Sequence, residues 1–424
     1  MQLQCDLSTI PKISVPAVHV DANPKSHSES RSIAYIPALD GLRGLAILTV
    51  VLHHSMVIRV IEKDHFGKAI HAIFTPGWIG VDLFFVLSGF LITSILLANR
   101  GEKGWLPTFY ARRALRVLPL YYSVVFFCFW VAPYIPAFHA GWLRELSVDQ
   151  LWYWLHGANF RRIESHMNPL IPTVGWFSTF WSLAIEEQFY LVWPLAVIAS
   201  GRQLLRYSLL GVLIVTVMRF YSGICGSDLL TYFHTVTRLD GLLLGSALAA
   251  YLKNGLPLEQ LAKPSKYILL AAALAFGLQV FTGMPQFGRS TYYGQLVLYS
   301  ASSWGCVALL VLALRAPATG LYSRCMNSSF LRFSGKLSFG MYVLNKPVLA
   351  GWALLVGAVA GPVSGPFSLI LVALGVALCM LAAWLSWICI EQPAMRLKRY
   401  FPTGSTVTQA GGVITGRSGE LTAK

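Results

Sequence analysis

Apolar stretches recur along most of the chain, each near the ~20 residues that an α-helix needs to cross a bilayer. Ten of them predict transmembrane helices, at residues 38–59, 77–98, 117–135, 177–199, 206–223, 230–252, 267–283, 292–314, 337–358 and 367–390. A shorter, Trp-rich segment at 148–160 predicts an interfacial or re-entrant helix. The pattern therefore predicts an all-α fold, a polytopic membrane bundle of about ten transmembrane helices.

Polar segments flank this apolar region. Residues 1–35 are polar and aperiodic and lack the basic segment and short apolar core of a signal peptide, so they predict a polar N-terminal tail. Residues 36–400 predict one transmembrane domain. Residues 401–424 are rich in Gly, Thr and Ser, and they predict a flexible tail with no further domain after the last span.

The composition strengthens the membrane interpretation. Apolar and aromatic residues make up 55% of the 424 residues and charged residues only 12%, about half the charged share of an ordinary soluble domain. The net charge of +15 comes without a basic stripe interleaved with aromatic residues, so no nucleic-acid partner is expected. The seven cysteines are scattered singly with no CxxC spacing, so no metal site is predicted.

The distribution of Lys and Arg between loops predicts the orientation. If the N-terminus is cytoplasmic, the more basic loops all lie inside, at residues 99–116, 253–266, 315–336 and after 390. Both termini, and with them both tails, are therefore predicted to be cytoplasmic. The lipid bilayer is expected to surround the predicted transmembrane helices.

Charged side chains inside spans are costly, so each of them is a functional candidate. In the first span, Arg43 and His54 are eleven residues apart, which returns them to within about 20° of one helix face and separates them by about 16 Å. Histidine is suited to taking and returning a proton near neutral pH. The alternative is that Arg43 extends its charge to the membrane surface and that His54 is an interfacial histidine.

Two further spans contain polar candidates in their predicted outer halves. Asp82 of the second span could cap a helix, pair with an arginine or orient a histidine. Ser182 and Glu186 of the fourth span are i, i+4 neighbours on one face, at a predicted depth similar to that of His54. This carboxylate could orient an imidazole or bind a sugar hydroxyl; the alternative is a polar cluster that locks helices together.

Arginines recur before the third span. Arg113 and Arg116 are i, i+3 neighbours, and Arg112 and Arg116 are i, i+4. Two guanidinium groups on one face at the membrane surface suit a polyphosphate, although ordinary positive-inside topology also explains them. In the sixth span, Arg238 and Asp240 are two residues apart and are expected to face different neighbours.

Several longer motifs occur in a fixed order: IPALDGLRGLAI, GWIGVDLFFVLSGFLI, FWSLAIEEQFYLVWP, TRLDGLLLG and IEQPAMRL. With the pair Arg113 and Arg116, and with the ten-residue spacer between Arg43 and His54, they cover about residues 33–400. Over this range the chain resembles the membrane-bound acyltransferase 3 family. These are multi-pass O-acyltransferases of bacterial surface polysaccharides and of some small molecules.

The resemblance implies transfer of an acyl group, most often acetyl, from a coenzyme A thioester to a hydroxyl, in the cell inner (cytoplasmic) membrane. Acyl-CoA (acetyl-CoA) would be the donor substrate, the acceptor a glycan or a small molecule, and no tightly bound cofactor is expected. The family's pattern makes His54 the essential histidine. The candidate catalytic residues are then His54, Glu186, Ser182 and Asp82. The candidate donor-binding residues are Arg43, Arg113 and Arg116.

One position departs from the family. In SFGMYVLNKPV, Asn345 occupies the place where members commonly carry a histidine, and Lys346 follows it. Asparagine donates and accepts hydrogen bonds but cannot exchange a proton near pH 7. Two rival functions stay open. One is a non-catalytic carrier or flippase for an acylated or lipid-linked small molecule, which intramembrane charges suit equally well. The other is a scaffold with a degenerate site.

Overall fold

The structure is a computed structural model that describes residues 36–57, 70, 72–134, 150–167, 176–224, 228–282, 291, 294–317, 320–360 and 365–402. Within these ranges the chain is helical and contains no strand, which confirms the all-α prediction. The predicted N-terminal tail and all but the first two residues of the predicted C-terminal tail lie outside the described residues. The same holds for positions 58–59, 135, 283 and 292–293 of the predicted spans.

The α-helices have the following bounds. The first eight are α1 (Pro37–His54), α2 (Ile79–Asn99), α3 (Trp105–Phe126), α4 (Gln150–Trp154), α5 (Ala158–Met167), α6 (Phe180–Ser200), α7 (Leu204–Ile224) and α8 (Asp228–Phe233). The others are α9 (Asp240–Lys253), α10 (Glu259–Thr282), α11 (Tyr299–Arg315), α12 (Leu321–Met326), α13 (Ser329–Lys336), α14 (Ser338–Ala360), α15 (Phe367–Ser386) and α16 (Gln392–Arg396). Short 3₁₀ or π turns extend several of them, including Phe127–Val131 after α3 and Trp387–Glu391 after α15.

Seven helical segments of the described chain are long and apolar enough to cross a membrane: Ala72–Asn99, Trp105–Tyr134, Phe177–Ile224, Glu259–Gln279, Gly294–Arg315, Ser338–Val359 and Phe367–Tyr400. The segment Phe177–Ile224 contains two of the ten predicted spans, α6 and α7. A multi-pass membrane protein is therefore supported. The count of ten spans and the cytoplasmic placement of both termini stay predictions.

The predicted span at 230–252 is not one helix. It divides into α8, a 3₁₀ turn at Val236–Arg238 and α9. Fourteen residues of α9 extend about 21 Å at 1.5 Å per residue, short of the ~30 Å hydrocarbon core. The helix is therefore interrupted within this apolar run, at the polar residues of TRLDG. The side chains of Thr237, Arg238 and Asp240 are buried there.

The helix that contains the third predicted span begins earlier than predicted, at Trp105 instead of residue 117. Gly104, with φ of 72°, has the left-handed backbone that glycine tolerates, and α3 begins directly after it at Trp105. Arg113 and Arg116 therefore lie in the third and fourth turns of α3 rather than in a loop. A rigid helix, packed in the bundle, directs their side chains.

A close backbone contact holds the first helix in place. A Cβ at Gly44 of α1 would overlap the main-chain carbonyl of Leu331, and a Cβ at Gly335 of α13 would overlap that of Asp40. Only glycine allows α1 and α13 to approach so closely, as small residues do in membrane bundles generally. This contact fixes the end of α1 that carries Arg43.

Candidate active site

Five helices surround a narrow internal cavity of about 70 Å³, which we call the central cavity. It is lined by polar side chains of α1, α2, α3, α6 and α14, namely Arg43, Ser88, Arg113, Arg116, Ser182, Glu186, Glu187, Ser338 and Tyr342. Five of the seven residues predicted for the site are therefore brought together. His54 and Asp82 are not part of this lining.

Three guanidinium groups, which we call the arginine cluster, face the central cavity from two helices: Arg43, Arg113 and Arg116. Arg43 pairs with Asp40 at 3.6 Å. The Arg113 guanidinium carbon lies 3.8 Å from the ring centroid of Tyr190, a cation–π contact. With Glu186 and Glu187 as the carboxylates of the lining, the formal net charge of the lining side chains is +1.

Arg112 projects differently from its two neighbours on α3. Its guanidinium donates hydrogen bonds to the main-chain oxygens of Lys398 at 3.3 Å and of Phe401 at 2.8 Å. It thereby ties α3 to the segment after α16, and it is not part of the central cavity's lining. The i, i+3 pair, and not the i, i+4 pair, is the one that reaches this cavity.

Glu186 contacts hydroxyl groups. Ser88 Oγ donates to its Oε1 at 3.1 Å, and the Tyr190 hydroxyl donates to its Oε2 at 3.0 Å. The carboxylate lines the same cavity as the arginine cluster, and the contacts in the described chain do not join it to the imidazole of His54. Of the roles that the sequence left open for Glu186, orienting an imidazole has no contact behind it in the described chain.

Ser182 lies one turn before Glu186 on α6 and forms a short hydrogen bond with the hydroxyl of Tyr342 on α14. Each of the two hydroxyls is also 3.2 Å from the main-chain oxygen of Thr179. Both residues of this hydroxyl pair line the central cavity. Tyr342 is three residues, about one helical turn, from Asn345 of α14.

His54 ends α1 and is hydrogen-bonded to Asn345, with 2.7 Å between Nδ1 and Oδ1. The buried Asn345 amide donates from Nδ2 to the main-chain oxygens of Met341 at 3.0 Å and Tyr342 at 2.7 Å. Only an NH₂ group can serve two carbonyls, so Oδ1 must accept the bond from His54. His54 Nδ1 therefore carries hydrogen, and Nε2 of the neutral ring keeps the lone pair of a base.

Asp82, one of the predicted catalytic residues, lies outside the central cavity's lining and has an arginine as its partner. It forms a buried ion pair with Arg238. Around this guanidinium lie four aromatic rings with centroids at 5.0–5.9 Å, those of Phe85, Trp181, Tyr232 and Tyr299. Of the alternatives that the sequence left open, pairing with an arginine is the one observed, and no contact in the described chain connects Asp82 with His54.

A second ion pair completes this group. Arg219 of α7 contacts Asp240 of α9 at 2.7 Å and donates to the main-chain oxygen of Thr237 at 3.0 Å. The prediction that Arg238 and Asp240 face different neighbours is confirmed. The four charged residues Asp82, Arg219, Arg238 and Asp240 are all buried, and we call them the ion-pair cluster.

Several residues of the site were not predicted from the sequence. Ser88, Tyr190 and Tyr342 hold Glu186 and Ser182, and Glu187 adds a second carboxylate to the lining. Tyr190 was detectable as the i+4 neighbour of Glu186 on a helix. The contacts of Ser88 and Tyr342 cross between helices that are distant in sequence, so no local spacing indicates them.

Another histidine, outside the membrane-spanning segments, is unsuited to proton exchange near neutral pH. His156 stacks on Tyr121 with ring centroids 4.3 Å apart. Burial lowers the pKa of His156 to about 4, because desolvation disfavours the charged imidazolium. This ring is therefore neutral at pH 7 in the folded chain.

With this geometry, the motifs point to one class of protein, membrane-embedded acyltransferases. The acyltransferase 3 family, described as an acyltransferase domain, matches residues 36–389. The chain therefore belongs to this family, as its motifs predicted. No solved structure matches the chain.

Named relatives are O-acetyltransferases. The chain is similar to the peptidoglycan O-acetyltransferase OatA of Listeria monocytogenes, with 30% identity over 338 residues, which cover 74% of this chain and 49% of that protein. It is also similar to the O-acetyltransferase OatA of Staphylococcus aureus, with 27% identity over 337 residues, covering 74% and 51%. The chain thus matches about half the length of these relatives.

Proposed function

We propose that the protein transfers an acyl group, acetyl in the simplest case, from cytoplasmic acyl-CoA to a hydroxyl of a glycan or another acceptor at or beyond the membrane. The observation that carries this proposal is the His54–Asn345 bond, because it leaves Nε2 as a base on the helix whose other end carries Arg43. Membership of the acyltransferase 3 family and the relatives' names support the reaction class.

The arginine cluster would hold the donor. Guanidinium groups suit phosphate because several N–H donors meet its oxygens in a planar arrangement. From Arg43 the face of α1 runs about 16 Å to His54, a distance that a long, slim pantetheine arm can follow. The thioester would then lie beyond the hydroxyl pair of Ser182 and Tyr342, near the imidazole.

The chemical step is proton transfer coupled to acyl transfer. His54 Nε2 removes the proton of the acceptor hydroxyl, and the oxygen attacks the thioester carbonyl carbon. A C–O bond forms, the C–S bond breaks, and the CoA thiolate receives the proton from His54 as it leaves. A positioned general base contributes about 10²–10⁴-fold to such a rate, and Asn345 keeps the imidazole in the required tautomer.

Glycans are the acceptor class that we favour, and peptidoglycan fragments are the first to test, because a relative is named for peptidoglycan. The experiment incubates the purified chain with acetyl-labelled acetyl-CoA and such fragments, and it measures base-labile label on the glycan. We expect label with the native chain and none with His54→Ala. His53→Ala is the matched control, since His53 Nδ1 faces the main-chain oxygen of Phe74 at 3.2 Å.

The same assay separates the proposal from its rival. A carrier or flippase would move the acceptor or acylated molecule across a vesicle membrane without forming a new ester. Transport without acyl transfer, or equal ester formation by the native chain and by His54→Ala, would contradict the proposed function. Activity that appears only in Asn345→His would instead favour a degenerate scaffold.

A further inference from the structure

Two wider cavities adjoin the central cavity, and both reach the arginine cluster. The α3 cavity, of about 470 Å³, lies between the end of α2, the first turns of α3 and the segment after α16. The α13 cavity, of about 420 Å³, lies between α1, α13 and the turn after α15. Each is within the range of about 300–1,000 Å³ typical of small-molecule sites, so size does not choose between them.

Both cavities share lining residues with the central cavity. The α3 cavity shares Arg113 and Arg116 with the central cavity, whereas the α13 cavity shares Arg43, Arg116 and Phe339 with it. A ligand in either could therefore extend an arm between the guanidinium groups. Both cavities lie toward the loops whose charge predicts the cytoplasmic side.

Charge separates the two cavities. The α3 cavity is lined by five cations and one carboxylate, Lys103, Arg112, Arg113, Arg116 and Lys398 against Glu102, a net charge of +4. The α13 cavity has four cations and two carboxylates, Arg43, Arg116, Arg332 and Lys336 against Asp40 and Glu391, a net charge of +2. A polyanion is attracted more strongly to the first.

The cations of the two cavities are also committed differently. In the α13 cavity, Arg43 pairs with the carboxylate of Asp40, and the Lys336 ammonium lies over the ring of Trp387 at 5.0 Å. In the α3 cavity, Arg112 is bound to main-chain oxygens and Arg113 to a tyrosine ring, which are neutral partners like that of Lys336. Of these four cations, Arg43 is the one that has a carboxylate within ion-pair distance in the described chain.

We propose that the α3 cavity binds the 3′-phosphoadenosine diphosphate end of coenzyme A, with Lys103 and Lys398 at the 3′-phosphate; this rests on the proposed function. The 3′-phosphate is a monoester and carries about −1.5 to −2 charges at pH 7. Arg113 and Arg116, at the junction with the central cavity, then meet the diphosphate. From there the pantetheine arm enters the central cavity.

The same wall offers a surface for the base. Trp105 and Phe109 are i, i+4 neighbours on α3, and both line the cavity. Aromatic rings of this kind stack on nucleobases. The cavity thus combines an aromatic wall with an anion site, as an adenine nucleotide requires.

The test compares CoA with 3′-dephospho-CoA, which differs by that one phosphate, by calorimetric titration of the full chain in detergent. The native chain should prefer CoA. The double variant Lys103→Gln and Lys398→Gln should lose at least about 10-fold in CoA affinity, because each lysine removed takes away a charge-assisted hydrogen bond to the 3′-phosphate. Its affinity for 3′-dephospho-CoA should be unchanged.

The matched control removes the same number of charges from the α13 cavity, by Arg332→Gln and Lys336→Gln, and should keep the native preference. Lys398→Arg, which keeps the charge, should also keep the preference for CoA over 3′-dephospho-CoA. This result would show that the fold tolerates a substitution at this position. An unchanged preference in the Lys103 and Lys398 variant, or its loss in the control, overturns the inference. A native chain that binds CoA without preference overturns the inference alone, whereas a native chain that binds neither ligand overturns the proposed function as well.

Discussion

The bundle contains two groups of buried charged side chains, and they differ in their charge balance. The ion-pair cluster has two arginines and two aspartates in direct contact. The arginine cluster has three guanidinium groups facing a cavity, and of these only Arg43 has a carboxylate within ion-pair distance in the described chain, that of Asp40. The charges of the first cluster are paired by direct contact, whereas Arg113 and Arg116 of the second face a cavity in which a ligand can contact them.

This difference separates residues that hold helices together from residues that bind. Removing one partner of a buried ion pair leaves an uncompensated charge and is costly. Removing a cation that faces a cavity mainly removes a partner of the ligand. Asp82 and Glu186, both carboxylates in membrane-spanning helices, are thereby assigned to different tasks. The variants that follow test this division, from the largest expected effect to the smallest.

Asp82→Asn should produce the largest loss of stability. It leaves the Arg238 guanidinium without its counter-charge, which costs about 3–5 kcal/mol. The free energy of unfolding in detergent measures this loss. The double variant Asp82→Asn and Arg238→Gln should regain part of it, because no unpaired charge remains. Native stability together with weakened CoA binding in Asp82→Asn would move Asp82 into the binding site and break the division.

Arg113→Gln or Arg116→Gln should weaken CoA binding about 10- to 100-fold, since a hydrogen bond to a charged group contributes about 1.5–3 kcal/mol. The loss of unfolding free energy should be smaller than in Asp82→Asn. Titration with CoA measures the effect, and Arg315→Gln, at an exposed position at the end of α11, is the control. Native affinity in both variants would leave only membrane topology to explain these arginines.

Asn345→Leu should slow acyl transfer by about 5- to 150-fold without changing CoA affinity. It leaves the N–H of His54 without an acceptor, at a cost of about 1–3 kcal/mol, and no longer fixes the tautomer. Asn345→Asp keeps an acceptor oxygen and should retain more of the rate. Equal rates in the Leu and Asp variants would show that hydrogen-bond acceptance is not what this position provides.

The smallest effect is expected at Arg43. Arg43→Lys should weaken CoA binding less than Arg43→Ala, because an ammonium still meets a phosphate but lacks the planar pair of donors. The lysine variant should lose about 0.5–1.5 kcal/mol, the value of one neutral hydrogen bond. CoA titrations of the two variants decide this. Losses of equal size would show that the planar guanidinium geometry is required.

The sequence predicted the parts of this structure that depend on local pattern. Apolar runs located most helices, and the i, i+3 spacing indicated that Arg113 and Arg116 share a face. The same reasoning failed for the span at 230–252, since apolar content does not reveal a backbone break. The predicted beginning of α3 was also too late, because the arginines at positions 112, 113 and 116 interrupt the apolar run by which the span was located.

Contacts between distant segments were beyond local reasoning. Asn345 is 291 residues from His54, and Asp82 is 156 residues from Arg238. From the sequence, Asn345 cast doubt on activity, because asparagine cannot exchange a proton. In the structure the same residue supports the tautomer that a base requires. Only the packing of α14 against α1 distinguishes these two interpretations.

The central claim is that donor binding and proton transfer occupy opposite ends of one face of α1. The most direct test measures CoA affinity and the rate of acetyl transfer on the same preparation of His54→Ala. We predict native CoA affinity together with a rate lower by about 10²–10⁴-fold. A variant that transfers acetyl at the native rate, or that loses CoA binding along with the rate, would contradict the claim.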